Sequence, residues 1–259
     1  MCVYTDILGF SIPSYGLMIV TGVIIANIIS LFLHRKNSMD SYDLIIVEAY
    51  CLLGGFIGAK SLYLFISRDS IDWNMIGDPE YFSMLMNSGF VFYGGLIGGL
   101  LFALIPYKLH KIDVMYFLRR YAFMAPLAHG FGRIGCFCAG CCYGVPYDGP
   151  LAVVFPEDSF AIHGVKLFPV QIVEAAGLLL IAIIVLFITI KLKSGYSIEI
   201  YLLLYAVLRF ILENYRYDKE RGIYLGLSTS QWIGIVMVSV AVISLFLRRK
   251  KTDKKMVLH

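Results

Sequence analysis

Stretches of about 20 mostly apolar residues, the length a helix needs to cross a hydrocarbon core of about 30 Å, recur seven times along the chain. They fall roughly at 11–33, 43–67, 89–107, 114–136, 170–190, 197–215 and 230–247. Barrel strands would show alternating segments of about 10 residues, and the run from Leu178 to Thr189 does not alternate. The pattern predicts an all-α polytopic membrane protein with seven transmembrane helices, forming a single membrane domain over 1–259. Two connections are sizeable, at about 68–88 and 137–169. The N-terminal stretch has no basic leader and no small-residue cleavage site, so it reads as a retained first span.

Composition agrees. Hydrophobic residues make up 59% of the 259 positions and charged residues 15%, against about 25% charged in soluble domains. An ordinary cytosolic enzyme, a disordered chain and a nucleic-acid binder are thereby excluded. The net charge of +4 is distributed as a topology signal: one set of connections, with the C-terminal tail, holds fourteen Lys and Arg and the opposite set five. That asymmetry predicts an N-terminus outside and a C-terminus in the cytoplasm.

A charge inside a span costs about 2.5–3.5 kcal/mol on insertion scales and so calls for a partner or a function. Three regions stand out. Gly130-Phe-Gly132-Arg133-Ile-Gly135-Cys136-Phe-Cys138-Ala139-Gly140-Cys141-Cys142-Tyr-Gly144 puts five glycines and an arginine at the outer end of the fourth span. Non-helical backbone at that depth is tolerated where it is buried or lines a cavity, which suits an anion pocket. On the sixth span Tyr205, Arg209 and Glu213 follow at intervals of four, with Arg216 three further on, so one helix face carries them all. An Arg209–Glu213 pair that neutralises itself is the plain alternative. The third region, Pro169 with Gln171 and Glu174, opens the fifth span and reads equally as a helix N-terminus with an acidic first turn.

By the predicted orientation these groups share the outer leaflet with Tyr15-Gly16, Tyr93-Gly94-Gly95 and Gln231. Arg133 and Arg209 at headgroup depth suit a phosphate, since guanidinium is a permanently charged planar fork of donors. The expected ligand is an anionic phospholipid.

At these residues the sequence resembles the prolipoprotein diacylglyceryl transferase family of bacterial membrane enzymes. The resemblance rests on Gly132-Arg133-Ile-Gly135 through Gly140 and Gly144. It extends to Tyr15-Gly16, Gly94-Gly95 through Gly98, Pro169 with Gln171 and Glu174, Tyr205 through Arg209 to Glu213 and Arg216, and Gln231. It implies a multi-pass protein of the bacterial inner membrane with its active site toward the outer leaflet. The implied reaction moves the diacylglyceryl group of phosphatidylglycerol to the thiol of a lipobox cysteine in a precursor protein, releasing glycerol phosphate. It also implies that Arg133 and Arg209 hold the phosphate, that Glu213 and Arg216 shape the site, and that Tyr15 and Tyr205 support it. Gly94, Gly95, Gly132, Gly140, Gly144, Gln171, Glu174 and Gln231 then count as substrate-binding positions.

The chain departs from the family where a histidine, the usual general base, is replaced by Tyr93. It departs again at Cys136 and Ala139, where the family carries asparagines, and at Cys141, where it carries glutamate. A divergent relative with another acceptor is a further reading, with His129 or His163 as alternative bases or plain structural histidines. Cys138-Ala-Gly-Cys141 is a C-x-x-C pair near Arg133, which a membrane thiol–disulfide oxidoreductase could use. Small cysteines packed under a glycine-rich turn, or a lipid-binding protein without chemistry, remain open as well. Zinc held by Cys136, Cys138, Cys141 and Cys142 is conceivable, but structural zinc sites usually draw cysteines from two segments, so no cofactor and no metal is expected.

Overall fold

The computed structural model describes residues 3–7, 10–35, 41–87, 89–192, 195–217 and 223–257. Strands β1 (Tyr4–Ile7) and β2 (Phe10–Pro13) pair antiparallel and lead into α1 (Ser14–Arg35). Helix α2 (Ser41–Ile66) is followed by a 3-10 turn at Trp73–Gly77, α3 (Pro79–Asn87), and α4 (Phe92–Phe102), which runs on to a π turn at Pro106–His110. Then come α5 (Val114–Arg120), α6 (Met124–Ala139) and a two-residue hairpin of β3 (Val153–Val154) and β4 (Lys166–Leu167). Helix α7 (Val170–Lys191) precedes α8 (Ser197–Leu212), which tightens into a 3-10 turn at Glu213–Tyr215. A last hairpin, β5 (Ile223–Tyr224) with β6 (Leu227–Ser228), opens α9 (Thr229–Val257).

Five helical segments among the described residues are long and apolar enough to cross a membrane: Ser14–Leu33, Tyr42–Ile66, Phe92–His110, Val170–Lys191 and Thr229–Arg249. The chain is a polytopic helical membrane protein. Two expected spans are not among the five, for local reasons. The stretch 114–136 is divided between α5 and α6 by a turn at Tyr121–Phe123. Helix α8 has 16 residues, roughly 24 Å at the α-helical rise, and carries Glu199 and Arg209.

The distribution of side chains suits lipid as the solvent. Phe32, Phe56, Ile183, Phe187, Ile243 and Phe246 are all more than half exposed, while Gln171, Glu174 and Arg209 are buried. Such an arrangement would be costly in water, where large apolar patches promote association.

The chain forms two compact units, one of residues 1–33 and 118–259, the other of 34–117. In the second, α2 and α4 pack through small residues. A methyl group on Gly58 would meet the Gly94 carbonyl oxygen, one on Gly94 the Gly58 oxygen, and one on Gly98 the Gly54 oxygen. This is close backbone approach of the kind that drives helix association in bilayers. Lys60, buried in α2, donates to the Leu85 carbonyl and lies over the rings of Tyr63 and Phe90.

In the first unit α7 is the inner helix, packing against α6 and α8, with α9 against α8. Its inward stripe of Gln171, Glu174, Leu178, Val185 and Thr189 follows helical spacing and is 3% exposed or less. At the start of α8 buried Glu199 accepts from Ser244 Oγ at 2.7 Å and faces Arg248 Nη1 at 3.3 Å, tying α9 to α8.

Candidate active site

Helix α6 ends in a glycine cap, and that cap organises the first half of the site. Gly140 takes a left-handed φ of 73°, which glycine adopts without a Cβ penalty. Its N–H donates to the Phe137 carbonyl at 3.2 Å and the Cys141 N–H to the Cys136 carbonyl at 3.1 Å. That is the Schellman pattern, in which the side chains at the first and last positions of the motif meet. Here those positions are Cys136 and Cys141. Cys142, also left-handed at φ 58°, turns inward beside them, and the Sγ atoms of Cys136, Cys141 and Cys142 all lie within 4.8 Å of one another. Hydrogen bonds from the Cys136 and Cys141 thiols, with the charges of Arg216 and Arg133, hold the Cys142 thiol below the ordinary thiol range despite its burial.

The bend after Cys142 is stitched to two other elements. Gly144 pairs with Arg216 as an isolated bridge, and Val145 N–H donates to the Tyr215 carbonyl at 3.0 Å. The Phe168 N–H in turn donates to the Val145 carbonyl at 3.0 Å. A Cβ on Gly144 would collide with the Phe168 carbonyl and stand 2.8 Å from that of Tyr215. Gly144 thus lets the bend lie between the start of α7 and the end of α8. Gln171 Nε2 donates to the Cys141 carbonyl at 2.9 Å, closing the same junction.

One turn along α7 from Gln171, Glu174 is fully buried between two arginines. Its Oε2 lies 3.1 Å from Arg133 Nε and 3.6 Å from Arg216 Nη1. Arg209 pairs with Glu213 through Nη2 at 2.7 Å and donates from the same nitrogen to Ser230 Oγ at 2.6 Å. The Tyr205 ring meets that of His129 edge to face with centroids 5.3 Å apart. The charges of Arg133 and Arg209 both reach His129 and Tyr205. Three cations and two carboxylates on α6, α7, α8 and the 3-10 turn and extended residue that follow it therefore form one electrostatic group. Within it Arg209 Nη1 and Glu174 Oε1 are buried with no hydrogen-bond partner among the described residues.

The residues singled out from the sequence divide accordingly. Arg133, Gln171, Glu174, Tyr205, Arg209, Glu213 and Arg216 come together. Tyr15, at the start of α1, backs onto Gly135, where a Cβ would sit 2.9 Å from the Tyr15 Cα. Gly132 is buried but uncrowded, a built Cβ making ordinary contact with Ile19 at 3.7 Å. Gly140 and Gly144 act on the backbone, as cap and close approach. Gln231 caps α9: its Oε1 accepts from the Ser228 N–H at 3.0 Å while Ser228 Oγ accepts from the Gln231 N–H at 3.2 Å. This is a capping box. Tyr93, Gly94 and Gly95 belong to the second unit, where Gly94 serves the α2–α4 contact and Tyr93 meets Phe92 edge to face at 5.8 Å.

The close thiol group takes in Cys141 but not Cys138. Two residues along a helix point about 200° apart, so Cys136 and Cys138 cannot face the same way. Ser230, which anchors Arg209, and the convergence of Cys142 had no signal in the one-dimensional pattern.

Fold and site define a class: a polytopic helical membrane protein with a buried arginine–glutamate cluster beside a cysteine-lined helix end. The family model for prolipoprotein diacylglyceryl transferase matches residues 3–247, and the chain belongs to that family. It is 35% identical over 238 residues to the phosphatidylglycerol–prolipoprotein diacylglyceryl transferase of Clostridium tetani, covering 92% of this chain and 93% of that one. It is 33% identical to the second such transferase of Clostridium perfringens, with 90% of each chain covered. The Finegoldia magna transferase is 26% identical over 256 residues, covering 96% and 98%.

Proposed function

We propose that this protein transfers the diacylglyceryl group of phosphatidylglycerol to the cysteine thiol of a prolipoprotein. In this reading it spans the bacterial cytoplasmic membrane seven times, N-terminus outside and C-terminus in the cytoplasm, and its site opens to the outer leaflet. The observation that carries the reading is the buried group of Arg133, Arg209 and Arg216 held by Glu174 and Glu213, in a chain that aligns with named transferases over nearly its whole length.

The chemistry follows from the charges. A thiolate sulfur attacks the glyceryl carbon that bears the phosphate ester. The sulfur–carbon bond forms, the carbon–oxygen bond breaks, and the electron pair leaves with glycerol phosphate. Negative charge grows on that phosphate as the bond breaks, and fixed guanidiniums stabilise it without reorganising, as water would have to. Glu174 and Glu213 keep the guanidiniums from swinging toward solvent. Arg209 Nη1, buried and without an acceptor among the described residues, is a donor suited to a phosphate oxygen.

Purified protein in vesicles tests this with labelled phosphatidylglycerol and a lipobox peptide. Lipidated peptide with matching glycerol phosphate supports transfer. Intact lipid after prolonged incubation would instead favour a lipid-binding protein without chemistry.

A further inference from the structure

The reaction needs an acceptor sulfur in its thiolate form, and the position where relatives are expected to offer a histidine base holds Tyr93. The same unit that contains the arginine cluster contains three thiols brought together by the end of α6. Cys136 and Cys141 occupy the two meeting positions of the Schellman cap, and Cys142 is turned onto them by a left-handed backbone that a non-glycine residue rarely adopts. Their sulfurs lie within 4.8 Å of one another. Zinc–sulfur bonds of about 2.3 Å set tetrahedral sulfur–sulfur edges of roughly 3.8 Å, so the group lies within about 1 Å of a coordination triangle.

Three further features bear on what such a triangle would do. All three ligands come from seven consecutive residues, so they cap one side of an ion and leave the opposite side open. Three protein ligands with a free fourth position is the pattern of catalytic zinc, whereas structural sites close the shell. Cys136 is buried while Cys141 and Cys142 are partly exposed, which orients the open side away from the α6 core. Three thiolates on a divalent ion carry a net negative charge, and Arg133 and Arg216 act electrostatically on Cys142.

We propose that Cys136, Cys141 and Cys142 bind a zinc ion whose fourth coordination position takes the acceptor cysteine thiol. The proposal rests on the transfer reading above and deepens it. On coordination the acceptor loses its S–H proton to water, since a thiol bound to zinc is deprotonated outright. The bound thiolate then supplies the electron pair for the sulfur–carbon bond, the phosphate ester oxygen departs with the pair of the broken carbon–oxygen bond, and nothing is oxidised or reduced. The proposal departs from the expectation from sequence that no metal is involved. That expectation assumed a structural site with ligands from two segments. A disulfide among the three thiols would need an electron acceptor that nothing here provides.

The test uses the full-length protein purified under reducing conditions in phosphatidylglycerol vesicles. Elemental analysis should find about one zinc per chain in the wild type and in Cys51→Ser, and at least a tenfold loss in Cys136→Ser, Cys141→Ser and Cys142→Ser. Because a cysteine variant can misfold, the wild type is also loaded with cobalt. A thiolate-to-cobalt charge-transfer band should appear and shift on adding a lipobox peptide, but not its cysteine-to-serine counterpart. A wild type that holds no metal while all three thiols remain reduced overturns the proposal, and so does a cobalt band indifferent to the peptide thiol. Lipid transfer measured on the same samples separates the two readings: transfer by metal-free protein refutes the zinc site alone, whereas zinc bound without any transfer counts against the transferase reading.

Discussion

Arg133 Nε stands 3.1 Å from the carboxylate of Glu174, a side chain with no solvent exposure, and the same oxygen faces Arg216. Breaking a buried pair by removing one charge leaves the other uncompensated, at about 3–5 kcal/mol. Glu174→Gln should therefore lower stability by about that much, because it strands two guanidiniums. Thermal unfolding in detergent reads this directly, and a double variant with Arg133→Gln should recover part of the loss. Equal stability of Glu174→Gln and wild type would mean that the pair is not formed.

Among the described residues Ser230 Oγ accepts from Arg209, so its removal isolates one function. Ser230→Ala should weaken the fixing of Arg209 by one hydrogen bond to a charged group, about 1.5–3 kcal/mol. The expected result is a fall in kcat of about tenfold to a hundredfold with KM for lipid little changed. A rise in KM alone would make Ser230 a binding residue and not an anchor.

The glycines make a contrasting pair. Gly58→Ala forces a methyl group against the Gly94 carbonyl, and overpacking costs about 1–3 kcal/mol, so the melting temperature should drop. Gly132→Ala meets nothing nearer than 3.7 Å and should melt like the wild type. If Gly132 lies against bound lipid, as the family resemblance implies, its variant loses activity without losing stability.

Gln231→Ala should remove half of the capping box on α9 and cost about 1 kcal/mol. Helix content and unfolding temperature report that loss. An unchanged unfolding temperature combined with a weakened lipid KM would restore Gln231 to the binding surface.

How far the sequence discloses this structure depends on whether a signal is local. The spacing of Tyr205, Arg209 and Glu213 carried the α8 stripe, because residues four apart on a helix must share a face. The plain reading of an Arg209–Glu213 pair is also present, at 2.7 Å, so the pair and the cluster coexist. Hydropathy located the five apolar segments, yet it could not foresee the turn at Tyr121–Phe123, where backbone geometry overrides an apolar run. C-x-x-C spacing drew attention to Cys138 and Cys141, although the Schellman cap selects Cys136 and Cys141 and rotates Cys138 away. Ser230 was invisible because it acts across 21 residues on a group in another helix.

The central claim is that Arg133 and Arg209 stabilise the phosphate leaving from the donor lipid. Its most direct measurement is single-turnover transfer from labelled phosphatidylglycerol to a lipobox peptide by Arg133→Lys and Arg209→Lys. Lysine keeps the charge but loses the planar fork, and removal of one transition-state donor typically costs about 10²–10³ in rate. Each variant should therefore transfer at least about a hundredfold more slowly than the wild type. Full turnover in both would contradict the account.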